Sequence, residues 1–179
     1  MFYVSQPLTT APTKFSTPLQ QKVYQILAEL CVPFQRVDND VTITMADCQA
    51  INKMLKMQTV KTLFLCNRQQ TNFYLFITPG NKPFVCKDFG AALGISRVSF
   101  ASPDLMQKII GTEVGAATIF GVLLESADSV QVVFDQEVVD SSDFGCTDGT
   151  TTSYMKIKTK DLLKKILPHL GRSYQVITV

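Results

Sequence analysis

Val60-Lys61-Thr62-Leu63-Phe64-Leu65-Cys66, then the polar Asn67-Arg68-Gln69-Gln70-Thr71, then Asn72-Phe73-Tyr74-Leu75-Phe76-Ile77-Thr78, is the stretch that decides the fold class. Both flanking runs are rich in aromatic and β-branched residues, the composition of strands. The linker between them is too short for the helical crossover that parallel strands need, so the pair reads as an antiparallel hairpin. Pro79-Gly80-Asn81 marks the turn that ends it.

Upstream, Thr17 can cap a helix that has Pro18 at its first position and Gln20 completing a capping box. Val23, Ile26, Leu27 and Leu30 follow at helical spacing, and Pro33 stops the run. Phe34 to Val37 reads as a short strand, Asp38-Asn39-Asp40 as a turn, and Thr44 as the cap of a helix reaching about Leu55. Residues 1–16 carry Pro7 and Pro12 among polar residues and read as an N-terminal extension, docked loosely if at all.

Downstream, Lys87 to Leu93 reads as a helix ending at Gly94, and Arg97 to Phe100 as a short strand. Ser102-Pro103-Asp104 opens a helix through Ile110. Thr118 to Leu124 and Val130 to Phe134 read as strands, and residues 135–152 as an irregular polar stretch with a helical turn near Glu137. A strand at Tyr154 to Ile157, a helix capped by Thr159 and a strand at Tyr174 to Thr178 close the chain. Hairpins mixed with helices, without a regular βαβ repeat, predict an α+β fold: a mixed, largely antiparallel sheet flanked by helices. The 179 residues show no internal repeat, so the expectation is one compact domain over residues 17–179.

Composition narrows the chemistry. With 46% hydrophobic and 18% charged residues the chain can fill a core. No apolar run approaches the roughly 20 residues of a membrane span, and the first residues do not read as a secretory leader, so a cytoplasmic protein without membrane contact is expected. Five scattered cysteines fit neither a disulfide framework nor a zinc site, and a single histidine rules out a multi-histidine metal centre. No metal or cofactor is therefore expected. His169 lies at the end of a helix, where an imidazole commonly meets the helix dipole or solvent, so Ser–His and Cys–His catalysis lack their base. A net charge of +2 neither advertises nor excludes RNA.

Four segments remain as candidates for a site. Lys61 shares a strand face with Leu63 and Leu65, where an ammonium either answers an anion or snorkels to water from the strand end. Gly115-Ala116-Ala117-Thr118-Ile119-Phe120-Gly121 offers backbone a ligand can approach, or else a simple turn into a strand. Arg97 beside Ser96 and Ser99 suits a phosphate, or a plain surface. The hydroxyl-rich run from Gly145 through Thr147 to Ser153 either lines a site or caps its neighbours.

In this order and spacing, these segments resemble the YbaK/prolyl-tRNA-synthetase-associated editing family, in particular its single-domain deacylase branch. The resemblance extends from about Ser16 to Val179 and is carried also by Thr44-Met45-Ala46-Asp47-Cys48 and by Lys156 to Leu163. It implies a hydrolase that cleaves the ester of a mischarged tRNA, one for proline carrying a wrong small amino acid such as alanine or cysteine. The implied partners are the aminoacyl-tRNA 3′ end and a prolyl-tRNA synthetase. Lys61 falls on the family's functional lysine, whose implied role is electrostatic, toward the terminal adenosine. Gly115, Ala116, Ala117, Thr118, Ile119 and Gly121 fall on and beside the loop implied to orient the ester, and Arg97, Ser99 and Thr147 complete the implied substrate contacts. The resemblance also implies that the 2′-hydroxyl of the tRNA helps activate water. Two departures bear on substrate choice: Ile119 replaces the loop's proline, and Thr147-Asp148 with Thr151 stand where relatives carry His-Pro and Asn. A non-cleaving module that reads aminoacyl-tRNA or a synthetase is the alternative.

Overall fold

The computed structural model describes residues 1–179. Its strands form two sheets rather than one. The larger has the order β4-β2-β3-β5-β8, made of β2 (Val60–Asn67), β3 (Phe73–Pro79), β4 (Val98–Phe100), β5 (Gln131–Asp135) and β8 (Tyr174–Ile177). The β2–β3 hairpin is antiparallel, with Lys61 opposite Thr78 and Leu65 opposite Tyr74. Strand β4 adds antiparallel to β2, whereas β5 and β8 add parallel. The smaller sheet is antiparallel, with β7 (Ser153–Lys158) between β1 (Gln35–Asp38) and β6 (Asp143–Thr147).

Side-chain alternation explains the layering. Phe64, Cys66, Leu75, Ile77, Val132 and Phe134 turn one face of the large sheet into the central core, where they meet Phe144, Met155 and Ile157 of the small sheet. Helix α1 (Pro18–Glu29) and the C-terminal helix close that core with Leu19, Val23, Leu27, Leu162 and Ile166. The opposite face of the large sheet carries Leu65, Tyr74, Phe76 and Val133, covered by Phe89 of α3 (Cys86–Leu93). Helix α2 (Cys48–Leu55) packs Ile51 and Leu55 on Val37 and Tyr154 behind the small sheet. Strand β3 is covered on both faces, which accounts for its unbroken apolar run.

Local signals hold at most boundaries. The Thr17 hydroxyl accepts from the Gln20 amide at 3.0 Å, and the Ser102 hydroxyl accepts from the Leu105 amide at 3.2 Å, opening α4 (Pro103–Ile110). Four expectations need correction. Ile119–Leu123 is a 3₁₀ helix rather than part of a strand. Its apolar residues are buried in the central core, and a short buried apolar run looks alike in either conformation. Residues 135–152 are more regular than their polarity suggests, because α5 (Gln136–Asp140) and β6 lie within them. Strand β6 gains its order from pairing with β7, Phe144 opposite Ile157, and not from local propensity. Helix α2 begins at Cys48 instead of after Thr44, since the Asp47 carboxylate turns back to accept from the Ile43 and Thr44 amides. Thr159 is the first residue of the C-terminal helix and caps nothing; its buried hydroxyl has no partner. That helix passes through a π-helical segment, Leu162–Ile166, and ends at an exposed His169.

Residues 1–16 run along β1. Val4 and Leu8 form bridges with Asn39 and Arg36, the Arg36 guanidinium donates to the Thr10 carbonyl at 2.7 Å, and Phe15 stacks on Tyr24. All five cysteines are free thiols. No helix is long and apolar enough to cross a membrane.

Candidate functional site

Strand β4 pairs only with Leu65–Asn67 of β2, so the first half of β2 has an uncovered edge. Along that edge lies a cleft of about 280 Å³. Val60 to Phe64 form one wall, and the loop Ile43-Thr44-Met45 forms a second. The turn at Val114, Gly115 and Ala117 forms a third, with Cys146, Thr147 and Tyr154 at the base. Three of the protein's exposed large apolar side chains, Ile43 (67%), Phe100 (59%) and Val114 (55%), rim this one opening. Apolar surface concentrated at a cleft mouth marks a place where something binds.

Lys61 contributes the only formal charge in the lining. It is half-buried, desolvation lowers its pKa from the ordinary lysine value, and its ammonium donates to the Lys82 carbonyl. One carbonyl leaves the other ammonium donors free for an anion. No carboxylate and no histidine lines the cleft. The remaining titratable groups are poor bases or nucleophiles, since burial pushes the Cys146 thiol and the Tyr154 phenol well above their usual ranges.

The Gly115 turn, in the same lining as Lys61, supplies backbone. Gly115 has φ +90° and sits so close to the preceding loop that a Cβ would lie 3.2 Å from the Thr42 carbonyl. That loop is itself pinned: the Thr42 hydroxyl donates to the Thr151 carbonyl at 2.9 Å, and Asp47 holds its other end. The hydrogen bonds to Asp47 from Thr44 and Ile43 keep this carboxyl below the usual carboxylate range. The Ala116 amide donates to Glu113, but those of Gly115, Ala117 and Thr118 have no protein acceptor. Unpaired amides beside a cation suit a carbonyl or an oxyanion.

The structure brings Lys61, Gly115, Ala117 and Thr147 to one cleft. It places the other candidates elsewhere. Ala116, Thr118 and Ile119 are fully buried, and the Thr118 hydroxyl donates to the Thr147 carbonyl at 2.8 Å, locking the turn to β6. Gly121 is small because a Cβ there would fall 2.8 Å from the Ile110 Cβ, so it serves helix packing. Arg97 and Ser99 line a separate groove beyond β4. The Thr147 hydroxyl is committed within its own loop, donating to the Thr150 carbonyl and accepting from the Gly149 amide. Sequence reasoning missed Ile43, Met45, Phe100, Val114 and Tyr154 as lining residues. Three carried a signal: Met45 and Ile43 stand in and beside the Thr44-Met45-Ala46-Asp47-Cys48 segment, and Phe100 stands next to Ser99 in the segment from Ser96 to Ser102.

Comparison with known proteins gives this geometry a family. The aminoacyl-tRNA editing domain model matches residues 40–165, which span the cleft. The chain is 27% identical over 158 residues to the prolyl-tRNA editing protein ProX of Acetoanaerobium sticklandii, covering 88% of this chain and 96% of that one. A crystal structure described as a candidate trans-editing enzyme for prolyl-tRNA synthetase aligns with TM-score 0.65 at 16% identity, over 92% of this chain and 99% of that one. The crystal structure of a hypothetical protein aligns with TM-score 0.67 at 15% identity, over 87% and 98%. At such identities the two structures speak for the fold alone. The matched model takes in most of the chain, including every wall of the cleft, and the chain belongs to the aminoacyl-tRNA editing domain family.

Proposed function

We propose that this editing domain deacylates tRNA for proline carrying a wrong small amino acid, with the ester held in the Lys61 cleft. The observation that carries the reading is a lining with one cation, unpaired backbone amides and no side-chain base. Such a site can bind and polarise an ester but cannot itself take a proton from water. The proton acceptor then comes from the substrate, and the vicinal hydroxyl of the terminal ribose is the group positioned to act. In this reading the Lys61 ammonium faces the negative charge of the terminal nucleotide. The Gly115 and Ala117 amides take the acyl oxygen as it gains charge. The apolar walls of a 280 Å³ cleft favour a short aliphatic side chain over a long or charged one. Residues 17–179 form the working unit, residues 1–16 strap it along β1, a prolyl-tRNA synthetase delivers the substrate, and the setting is cytoplasmic.

A panel of tRNAs for proline charged with alanine, cysteine or proline tests this directly. Release of the wrong small amino acid, abolished by Lys61→Ala and absent for the cognate ester, is the expected result. Turnover indifferent to Lys61 removes the cation from the mechanism. Tight binding without turnover identifies a reader that does not cleave.

A further inference from the structure

Two of the four arginines are tied down: Arg36 bonds to Asp38 and the Thr10 carbonyl, and Arg172 bonds to the Asp128, Val122 and Ala127 carbonyls. The other two, Arg68 and Arg97, are exposed and engage no protein acceptor. They share one groove of about 860 Å³, lined also by Asn67, Asn72 and Ser99, with no carboxylate among its walls. The β2–β4 ladder pairs Cys66 with Ser99 and ends at Asn67 with Val98, and Arg68 and Arg97 are the next residues beyond that end. Two guanidinium groups on one groove with no carboxylate between them favour an anion there.

The groove adjoins the cleft through β4. Ser99 lines the groove and Phe100, a residue 59% exposed, lines the cleft with its ring edge-on to Phe84 at 5.7 Å. An aromatic ring fixed at its edge and open to solvent is a stacking platform for a base. Arg68 follows the last residue of β2 and lies seven residues from Lys61, at most about 23 Å at strand rise, a few nucleotides' reach.

We infer that the Arg68/Arg97 groove holds the sugar-phosphate backbone of the RNA strand upstream of its 3′-terminal nucleotide, and that Phe100 stacks a base between groove and cleft. The inference rests on the deacylase reading for its direction, since the 3′ end enters at Lys61, but its chemistry is separate. The arginines supply affinity for the strand, and the cleft supplies the reaction.

The test uses the full chain and an uncharged acceptor-stem RNA hairpin with a single-stranded 3′ tail, its binding followed by fluorescence anisotropy between 50 and 200 mM salt. Two phosphate contacts to a single strand correspond to about a sevenfold loss of affinity over that range. The double variant R68Q/R97Q, which alters only exposed side chains, is expected to lose that component of the salt dependence and to bind about tenfold more weakly at low salt. Phe100→Ala is expected to weaken binding roughly fivefold or more with the salt slope unchanged. On an aminoacyl-adenosine ester, which has no upstream phosphate, R68Q/R97Q is expected to match the wild type.

Equal affinity and equal salt slope in R68Q/R97Q would overturn the inference, as would an equal loss on the adenosine ester. If the wild type cleaves no ester while RNA binding still depends on both arginines, the deacylase reading fails and the groove stands. If the wild type cleaves mischarged tRNA and binding ignores the arginines, the groove falls and the deacylase reading stands.

Discussion

The cleft at Lys61 and the buried knot at Asp148 lie on either side of Thr147, and they differ in how much hydrogen-bonding capacity the protein keeps for itself. Asp148 is fully buried and accepts from the Gln20 amide group at 2.9 Å, the Tyr24 hydroxyl at 2.8 Å and the Thr150 hydroxyl at 2.8 Å. Burial, with Asp148 beside it, drives the Tyr24 phenol far above its usual range, so that hydroxyl stays a donor. Nothing in the knot is left over for a ligand. In the cleft, Lys61 spends one bond on Lys82, and the amides of Gly115 and Ala117 spend none within the protein. Both regions draw on the segment from β6 to Thr152. Saturation makes one a fastener between α1 and the small sheet, and incompleteness makes the other a candidate site.

The largest expected effect lies in the knot. Asp148→Ala removes the acceptor of four buried donors, the Thr150 amide included, and should cost about 3 kcal/mol or more in urea unfolding. Deacylation per folded molecule should remain within about twofold of wild type, because the carboxylate never reaches the cleft. A comparable loss of turnover would erase the distinction between the two regions. The reverse pattern is expected of Lys61→Ala: roughly a hundredfold drop in kcat/KM with an unfolding midpoint close to wild type.

Between these extremes sits the turn. Gly115→Ala places a Cβ at a left-handed φ and 3.2 Å from the Thr42 carbonyl, which should cost about 1–2 kcal/mol and raise KM together. Thr118→Val deletes the donor to the Thr147 carbonyl, a buried bond that ties the turn to the end of β6, and should cost about 1 kcal/mol. If it changed neither stability nor KM, turn and knot would be independent.

The smallest effect is on pH. Burial lowers the pKa of Lys61, so its charge is present below that lowered value and is lost as pH rises through it. The Lys61-dependent rate, taken as wild type minus Lys61→Ala, should therefore fall at a lower pH than an exposed lysine near 10.4 would give. The linked stability runs the other way. The folded state holds this proton less tightly than the unfolded state, so stability gains as pH climbs from the folded value to the unfolded one. Lys61→Arg should push the alkaline fall out of range.

Legibility followed the range of the interactions involved. Helices α1 and α4 could be read because Thr17, Pro18, Ser102 and Pro103 act within one turn of chain. The β2–β3 hairpin could be read because its partners are joined by a short polar link. Strand β6 could not, since Gly145 and Cys146 have little strand propensity and are ordered by β7. The run from Ile119 to Leu123 misled because burial, not alternation, set its composition. At the site, Lys61 was legible as a cation on an apolar strand. Arg97 and Ser99 were grouped with it by order along the chain, yet the β4 register carries them past the end of the cleft.

By itself the sequence determined the α+β class, the hairpin at its centre, the capped helices and the family pattern, all of which rest on spacings of a few residues or on motif order. The tertiary structure alone decided that the strands split into two sheets and that β4 stops at Leu65. It also decided that the open edge so created faces the Gly115 turn. Those outcomes depend on pairings between residues far apart in the chain, whose free energy comes from shared burial and backbone hydrogen bonds that no local period records.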